Sequence, residues 1–401
     1  MSLRKINLIS FVTFFVGWWL YFSQGMFNYH GPIMQGILVV MLTWSFFYFF
    51  KVVTTKQVPP VLQVLALLLI VLLLYGVWNI IIRGGGTYAI DYVKKTAYSI
   101  APIFGFYYLL KRIDVSQKWL YVIIIALLLF AIGEFYSGRR EMLEKIARGI
   151  YRDREINEMV MGAAYRFLPI LPLLFFVKKA WFKYMALIVI LFYIVLGVKR
   201  GAILIGAAST AIIVFDELTH TKKKTSISQI IIVIGALVGG YFLFSKMITE
   251  NDFFIYRFAE MMEGDTSGRD KIYSEMFQHF VNESNAFYLL FGNGADSTLR
   301  IQGHYAHNDW LEMLMNQGVF GFLIYFIFYY RLIKEWIRNK ECHTLYMGIG
   351  LVLFVLFGSS IVSMSINNMR ITAHFCIAYC LAMSEKPRYS NKTNNYENLC
   401  N

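Results

Sequence analysis

Long uninterrupted apolar runs constrain this sequence more than any other feature. A helix needs about 20 residues to cross a bilayer core of roughly 30 Å, and residues 61–82 and 120–136 form runs of that order. The composition agrees, because 58% of the 401 residues are hydrophobic and 16% are charged, whereas soluble domains carry about 25% charged residues. A buried soluble core would not need so many apolar runs. The sequence therefore predicts an all-α integral membrane protein.

The apolar runs predict about twelve transmembrane helices. Aromatic residues make up 17% of the chain, and many stand at the ends of the runs, where the half-polar rings of Tyr and Trp favour the membrane interface. The first run lacks a small-residue cleavage site, so it is interpreted as a retained helix rather than a signal peptide. The predicted helices cover residues 6–23, 33–50, 61–82, 96–110, 119–136, 159–177, 181–198, 200–216, 229–245, 319–333, 344–361 and 368–384.

The short loops between these helices place both termini in the cytoplasm. Their basic residues fall on one side, and short basic loops face the cytoplasm by the positive-inside rule. None of the four cysteines falls in a segment placed outside, so no disulfide is predicted. The basic side carries Arg4-Lys5, Lys51, Lys56, Lys111-Arg112, Lys178-Lys179, Lys222 to Lys224, the cluster from Arg331 to Lys340, and Lys386 with Arg388.

One basic loop does not fit this orientation. Residues 137–158 fall outside yet hold six Lys or Arg residues. Either a helix is miscounted, or the loop is a basic patch that serves an anionic ligand. The net charge of +13 does not favour nucleic-acid binding, because the basic residues form short clusters between apolar runs, as topology signals and headgroup contacts do.

One large segment outside the membrane divides the chain. It is external in the predicted topology and interrupts the helices late in the sequence. The tail after it is polar and rich in asparagine, and is predicted to be disordered. The predicted organisation is helices one to nine in residues 1–245, the external loop in residues 246–318, helices ten to twelve in residues 319–384, and a cytoplasmic tail in residues 385–401.

The external loop is predicted to hold two helices. Ser267-Gly268-Arg269-Asp270 fits a capping box, and apolar residues then repeat at helical spacing, which predicts an amphipathic helix over 268–283. A second helix is predicted from His307 to Gln317, stopped by Gly318. The first of these helices is expected to lie against the membrane surface or the helix bundle.

Two arginines are candidate anion-binding residues. Arg200 lies in Lys199-Arg200-Gly201 between two apolar stretches, where a charge costs about 2.5–3.5 kcal/mol if it sits at the membrane centre. The alternative for Arg200 is a side chain that reaches the interface. Arg269 lies in the first turn of a predicted helix, where its charge and the free N–H groups attract an anion. The alternative for Arg269 is a solvated surface arginine.

A histidine-containing motif closes the external loop. It runs from His304 to Glu312 as H-Y-A-H-N-D-W-L-E. His307 is placed at a helix N-terminus, whose dipole disfavours imidazolium, so its pKa is expected to fall and the neutral ring to accept a proton. A metal site is disfavoured, because the segment lacks the histidine pair and glutamate of H-E-x-x-H.

Four motifs occur in a fixed order along the chain. They are K-R-G in a membrane helix, S-G-R-D-K-I-Y and F-G-N-G-A-D-S in the external loop, and A-H-N-D-W-L-E followed by G-x-x-G. In order, spacing and external placement the set resembles the O-antigen ligase and polymerase superfamily of bacterial surface-glycan enzymes. The resemblance covers residues 163–380 and is densest between residues 267 and 321.

The resemblance implies an inverting glycosyltransferase that uses neither metal nor nucleotide cofactor. Its donor would be an oligosaccharide on a polyprenyl diphosphate, presented at the periplasmic face of the bacterial cytoplasmic (inner) membrane. Carried over by motif, His307 matches the general base, and Arg200, Arg269 and Arg370 match the arginines that hold the diphosphate.

The resemblance also marks supporting residues around this set, namely His304, Asn308, Asp309 and Glu312. The family often has H-N-E where this chain has A-H-N-D. Whether Asp309 or Glu312 takes the place of that glutamate is therefore open.

The preferred function is a polymerase that joins lipid-linked repeat units into O-antigen, capsule or exopolysaccharide. The implied partners are the lipid-linked oligosaccharide, a glycan acceptor, membrane lipids, and a chain-length regulator and flippase of the same pathway. One alternative is a ligase that moves the finished glycan to lipid A-core or protein. Others are a scaffold in a glycan assembly complex, and a transporter or flippase with Glu134, Arg166 and Arg200 along its path, although no inverted repeat is visible.

Overall fold

The computed structural model describes residues 3–27, 31–55, 58–83, 86–148, 160–220 and 268–385, with 245 and 259 as isolated positions. Within these residues the chain is helical and has no strand. The α-helices are α1 Leu3–Phe22, α2 Pro32–Val53, α3 Pro60–Arg83, α4 Gly86–Arg112, α5 Gln117–Ala147, α6 Ala180–Leu196, α7 Arg200–His220, α8 Arg269–Val281, α9 Ala286–Phe291, α10 Ser297–Gln302, α11 Asp309–Arg338, α12 His343–Val362 and α13 Ile371–Glu385.

Seven of the described helices are long and apolar enough to cross a membrane, namely α1, α2, α3, α5, α7, α11 and α12. The segment Gly162–Phe176 and helices α6 and α13 are shorter apolar helices. The protein is therefore a multi-pass α-helical membrane protein, as the apolar runs predicted. The count of twelve is not confirmed, and the predicted helix 229–245 lies outside the described residues except for position 245.

The prediction of one α-helix over residues 159–177 is wrong. It forms two 3₁₀ helices, Gly162–Arg166 and Leu168–Phe176. Pro169 and Pro172 fall inside it, and proline has no N–H to donate and pushes the preceding residue away from the α conformation. Two prolines three residues apart thus prevent a continuous α-helix, although Leu168–Phe176 is otherwise apolar.

The basic loop predicted at residues 137–158 is partly helical. Residues 137–147 continue α5, which is 31 residues long, and the described part of the chain stops at residue 148. The Arg140 guanidinium donates to the carbonyl of Gly25 at 2.7 Å. Some of the predicted loop is thus an extension of a membrane helix.

The chain divides into two compact units, the first made of residues 1–18, 36–114 and 266–401, and the second of residues 19–35 and 115–265. In the first unit α3 and α4 form an antiparallel hairpin, α11 packs on α3, α13 packs on α4, and α12 packs against both α11 and α13. A cluster of phenylalanine rings in edge and tilted contacts fills its interior, made of Phe11, Phe14, Phe15, Phe106 and Phe375.

One end of the first unit collects most of the predicted motifs. There α3 ends, α4, α11 and α13 begin, and α12 ends. Hydrogen bonds join these ends: Asn79 Nδ2 donates to the Ala295 carbonyl at 2.8 Å, and Gln317 Nε2 donates to the Tyr92 hydroxyl at 3.0 Å. We call this the loop end, because residues 268–308 cover it.

The second unit is built from α5, α6, α7 and the 3₁₀ segments. Tyr193 stacks on Phe167 with ring centroids 5.2 Å apart, and it also packs edge-on against Phe135. Lys183 of α6 forms an ion pair with Glu217 of α7. These contacts hold α7, which begins at Arg200, against the rest of the unit.

The cysteines differ from the prediction at one position. Cys376 and Cys380 are free thiols buried in α13. Cys342, directly before α12, is disulfide-bonded, although the loop pattern placed it on the cytoplasmic side, where disulfides are rare. Charge patterns report topology, whereas a disulfide depends on which residues lie close together.

Candidate functional site

The first predicted loop helix is present as α8, but its cap differs from the prediction. The N-cap is Gly268 rather than Ser267, which lies outside the described residues, and no side chain caps the helix. Gly268 has φ 73°, a left-handed conformation that glycine adopts without steric cost. Arg269 is therefore the first residue of the helix.

The second predicted loop helix forms the first part of α11, from Asp309 to Gln317. Gly318 then has φ 65° and ψ −164°, which interrupts the helix before its membrane-spanning part. The glycine thus stops the helix as the sequence predicted.

Gly318 crosses a second glycine at very close range. A Cβ on Gly318 would lie 2.5 Å from the backbone of Leu290 and Gly292, and a Cβ on Gly292 would lie 2.5 Å from the backbone of Asn316. The N–H groups of Asn293 and Gly294 donate to the carbonyls of Met315 and Asn316, both at 2.9 Å. These bonds satisfy carbonyls that the interruption would leave without partners. The F-G-N-G-A-D-S motif and the G-x-x-G motif therefore cross each other with their backbones in contact.

Asn308 and Asp309 are structural residues at the start of α11. Asn308 is the N-cap, and its Oδ1 accepts from the N–H groups of Trp310 at 2.9 Å and Leu311 at 3.2 Å. Asp309 is 1% exposed. Its carboxylate accepts from the Ser365 N–H at 3.0 Å, the Ile366 N–H at 3.1 Å, the Ser365 hydroxyl at 2.5 Å and the Tyr325 hydroxyl at 3.0 Å. Asp309 thereby holds the segment that leads into α13.

Glu312 anchors the other side of the loop. It is 4% exposed, and it accepts from the Ala306 N–H at 2.6 Å, the Thr298 hydroxyl at 2.8 Å and Asn316 Nδ2 at 3.0 Å. Each of these bonds goes to a charged acceptor, so they are stronger than neutral hydrogen bonds. Glu312 therefore fixes the residue that directly precedes His307.

His307 is exposed and held in a left-handed conformation, with φ 52°. It precedes the N-cap residue Asn308, and α11 begins two residues later than the helix start at His307 that the sequence predicted. Its neighbours are both fixed, since Ala306 is buried and bonded to Glu312, and Asn308 caps α11. The imidazole is thus presented outward on a rigid turn.

Among the described residues, three that are not glycine have positive φ: Val198 at 49°, Asp296 at 52° and His307 at 52°. Each adjoins or belongs to one of the motifs. Val198 precedes Lys199-Arg200-Gly201, Asp296 lies in F-G-N-G-A-D-S, and His307 lies in A-H-N-D. Such conformations cost about 1–3 kcal/mol each and cluster at functional sites. The backbone strain therefore coincides with the motifs.

Arg269 lies at the loop end, beside the end of α12. Its Nη1 donates to the Val362 carbonyl at 3.0 Å. Further along α8, Met276 forms a small core with Ala306 and Met315. The helix that carries Arg269 is thus packed against the residue before His307.

Arg370 lies in the segment that Asp309 holds, directly before α13. Its guanidinium stands over the ring of Tyr98 with 5.2 Å to the ring centroid. The loop end of the first unit therefore carries His307, Arg269 and Arg370 together. Arg200 begins α7 in the second unit, so its approach to His307 stays a prediction.

His304 is half-buried beside Gly303, which has φ 76°. Its Nδ1 is buried and has no hydrogen-bond partner among the described residues.

Asp296 lies in the F-G-N-G-A-D-S motif but was not among the predicted site residues. Burial raises the pKa of its carboxyl above the usual value, while Lys95, Arg300 and Tyr305 lower it and Asp91 raises it further. Asp296 and the charged side chains around it therefore lie close to Tyr305, two residues before His307. In the sequence, only its position in the F-G-N-G-A-D-S motif indicated a functional role for Asp296.

An apolar cleft of about 210 Å³ opens at the loop end between α3, α9 and the glycine turn. Two of its wall residues, Leu74 and Trp78, are 62% and 46% exposed. Its other lining residues are Tyr75, Phe287, Phe291, Gly292 and Gly294.

The sequence matches no family model, and no curated protein is significantly similar to it. The family resemblance drawn from the motifs therefore stays a prediction.

Proposed function

We propose that the protein is a membrane glycosyltransferase that polymerises a surface polysaccharide from polyprenyl-diphosphate-linked repeat units at the outer face of the cytoplasmic membrane. The observation that carries the proposal is the presentation of His307. An exposed imidazole stands on a strained, doubly anchored turn, on the same end of the unit as Arg269 and Arg370. A strained histidine on the same end of the unit as two arginines suits general-base catalysis on a phosphate-linked substrate.

In the proposed reaction His307 takes the proton of the acceptor hydroxyl. The acceptor oxygen forms a bond to the anomeric carbon as the bond from that carbon to the diphosphate oxygen breaks. Attack opposite the leaving group inverts the anomeric centre. The polyprenyl diphosphate leaves with negative charge, which guanidinium groups stabilise while they stay charged at any working pH. No metal ion or nucleotide is needed in this scheme.

The apolar cleft gives the lipid part of this substrate a place to bind. Its lining offers hydrocarbon and aromatic surface, which suits an isoprenoid chain rather than a headgroup. The helix from Asp309 to Gln317 joins the cleft to the turn that carries His307, and at 1.5 Å per residue it spans about 12 Å. The tail and the reacting sugar of one lipid-linked donor fit a separation of this order.

The test is a transfer assay on purified full-length protein with the lipid-linked repeat unit from a strain that lacks the gene, products separated by size. His307→Asn is the informative variant, because asparagine tolerates a left-handed φ but offers no base. We expect its rate to fall by about 10²–10⁴, the usual contribution of a general base. His343→Ala, which replaces the first residue of α12, is the matched control and should keep the wild-type rate.

Two results would overturn the proposal. One is a His307→Asn protein with wild-type transfer. The other is a wild-type protein that transfers the glycan once, to lipid A-core or protein, without lengthening the lipid-linked chain, since that product defines a ligase.

A further inference from the structure

Asp296 occupies a position that disfavours it locally in two ways. Its φ is 52°, in the left-handed region where a side chain crowds the backbone. It is also the N-cap residue of α10, yet its carboxylate makes no cap hydrogen bond, although aspartate is among the best capping residues. The side chain is turned away from the helix that it could stabilise.

Hydrogen bonds on both sides hold Asp296 in this conformation. The carbonyl of Ala295 accepts from Asn79 Nδ2 of α3 at 2.8 Å. The Ser297 N–H and hydroxyl both donate to Asn316 Oδ1 of α11, at 2.8 and 2.7 Å. The direction of the Asp296 side chain is therefore set by two membrane helices rather than by its own turn.

Basic, acidic and hydroxyl side chains surround the carboxylate of Asp296. Lys95 of α4, Arg300 and Asp91 act on it electrostatically, and the Tyr305 hydroxyl lies in hydrogen-bonding range. Lys95, Asp91 and Arg300 are exposed, so the group opens to solvent. Tyr305 precedes His307 by two residues, a stretch of chain that spans at most about 7 Å.

We propose that Asp296, Lys95 and Tyr305 form the subsite that binds the acceptor sugar beside His307. A carboxylate accepts hydrogen bonds from two neighbouring sugar hydroxyls, an ammonium donates to others, and a tyrosine ring offers a flat apolar face. The Asp296 carboxylate and the Lys95 ammonium cancel in net charge, so the subsite suits an uncharged acceptor sugar better than the diphosphate of the donor. This inference rests on the proposed function.

A purely structural role for Asp296 makes a different prediction. If the carboxylate only ties the loop to α4 through Lys95, then Asp296→Asn and Lys95→Gln should lower the melting temperature equally. Neither would change recognition of the acceptor.

The experiment uses full-length purified protein and, as acceptor, the free oligosaccharide released from the lipid-linked repeat unit by mild acid. For Asp296→Asn we expect the KM for this acceptor to rise about tenfold to a hundredfold, as expected for loss of hydrogen bonds to a charged group. The kcat and the KM for the lipid-linked donor should stay within about threefold of wild type. Glu275→Gln, which removes an exposed carboxylate on α8, is the control and should match wild type.

A binding measurement separates the two proposals. In the His307→Asn background, adding Asp296→Asn should weaken binding of the free oligosaccharide by the same factor in equilibrium dialysis. Unchanged binding and unchanged acceptor KM overturn the subsite, even if His307→Asn is inactive. If His307→Asn transfers at the wild-type rate, the proposed function fails and the subsite fails with it.

Discussion

At the scale of single residues, the acidic side chains of the A-H-N-D-W-L-E motif point inward. Asp309 and Glu312 are both buried, and each accepts hydrogen bonds from a different segment of the loop end. The resemblance left open which of the two takes the place of the family's glutamate. Here both carboxylates instead hold backbone segments on either side of His307, so the motif combines one exposed ring with two buried anchors.

Replacing Glu312 by glutamine should destabilise the protein although the two side chains have the same shape. The Ala306 N–H donates to one carboxylate oxygen of Glu312, and Thr298 and Asn316 donate to the other. Whichever way a glutamine amide is turned, its NH₂ group faces a donor and cannot accept. A lost bond to a charged buried acceptor costs about 1–3 kcal/mol. The melting temperature in detergent, followed by fluorescence-detected size exclusion, should therefore fall.

The control for this prediction is Glu275→Gln. Glu275 pairs with Lys271 on the surface of α8, with an N–O distance of 3.9 Å, and exposed pairs contribute about 0–1 kcal/mol. If Glu312→Gln melts at the same temperature as this control, Glu312 is not the anchor described above.

At the scale of elements, the glycine crossing fixes how the loop meets the membrane helices. Gly318 separates the short helix after His307 from the membrane-spanning part of α11, and Gly292 fits against its last turn. Tyr75 of α3 donates to the Gln317 carbonyl at 3.3 Å. One interruption therefore joins α3, α9 and α11 and also shapes the apolar cleft.

Gly318→Ala should strongly destabilise this crossing. A methyl group there would meet backbone atoms at 2.5 Å, and those atoms cannot move aside as a flexible side chain would. The φ of 65° adds strain for any residue with a Cβ. We expect a loss of about 3 kcal/mol or more, measured as a lower melting temperature and a lower yield of folded protein.

Gly36→Ala is the matched control for the crossing. Gly36 lies inside α2, and a Cβ there meets nothing within 4 Å. Alanine also favours helix by about 1 kcal/mol over glycine, so this variant should be as stable as wild type or slightly more stable. Equal melting temperatures for both variants would contradict the close contact at Gly318.

At the largest scale, α11 links the loop end of the first unit to the segment before α12. The part of α11 after Gly318 covers residues 319–338, about 30 Å at 1.5 Å per residue, which is enough to cross a bilayer core. The positive-inside pattern predicts that the loop end is outside, because the basic cluster from Arg331 to Lys340 lies in the last turns of α11 and directly after it, at the opposite end of the helix.

Cysteine labelling in intact cells tests this orientation. In a background without Cys342 and Cys400, Lys271→Cys should react with a membrane-impermeant maleimide, whereas Lys340→Cys should react only after the cells are permeabilised. Both positions are exposed, so burial does not explain a difference. The reverse pattern would put His307 on the cytoplasmic side, where the proposed substrate is not presented.

The sequence alone showed that the chain crosses a membrane repeatedly as helices, because a long apolar run is more stable in the bilayer than in water whatever it later packs against. It also determined where Gly318 stops a helix, because a glycine preference is local. The 3₁₀ segment could have been predicted too, since its cause is two prolines within the run.

The hydrogen-bond partners of the polar residues in the motifs became known only from the packed helices. The N-cap at Gly268, the inward direction of Asp309 and Glu312, and the charged group around Asp296 depend on partners elsewhere in the chain. Asp309 meets Ser365 across 56 positions, and Asn79 meets Ala295 across 216. A hydrogen bond needs a defined distance and angle between two such groups, and no local pattern fixes that distance before the helices pack.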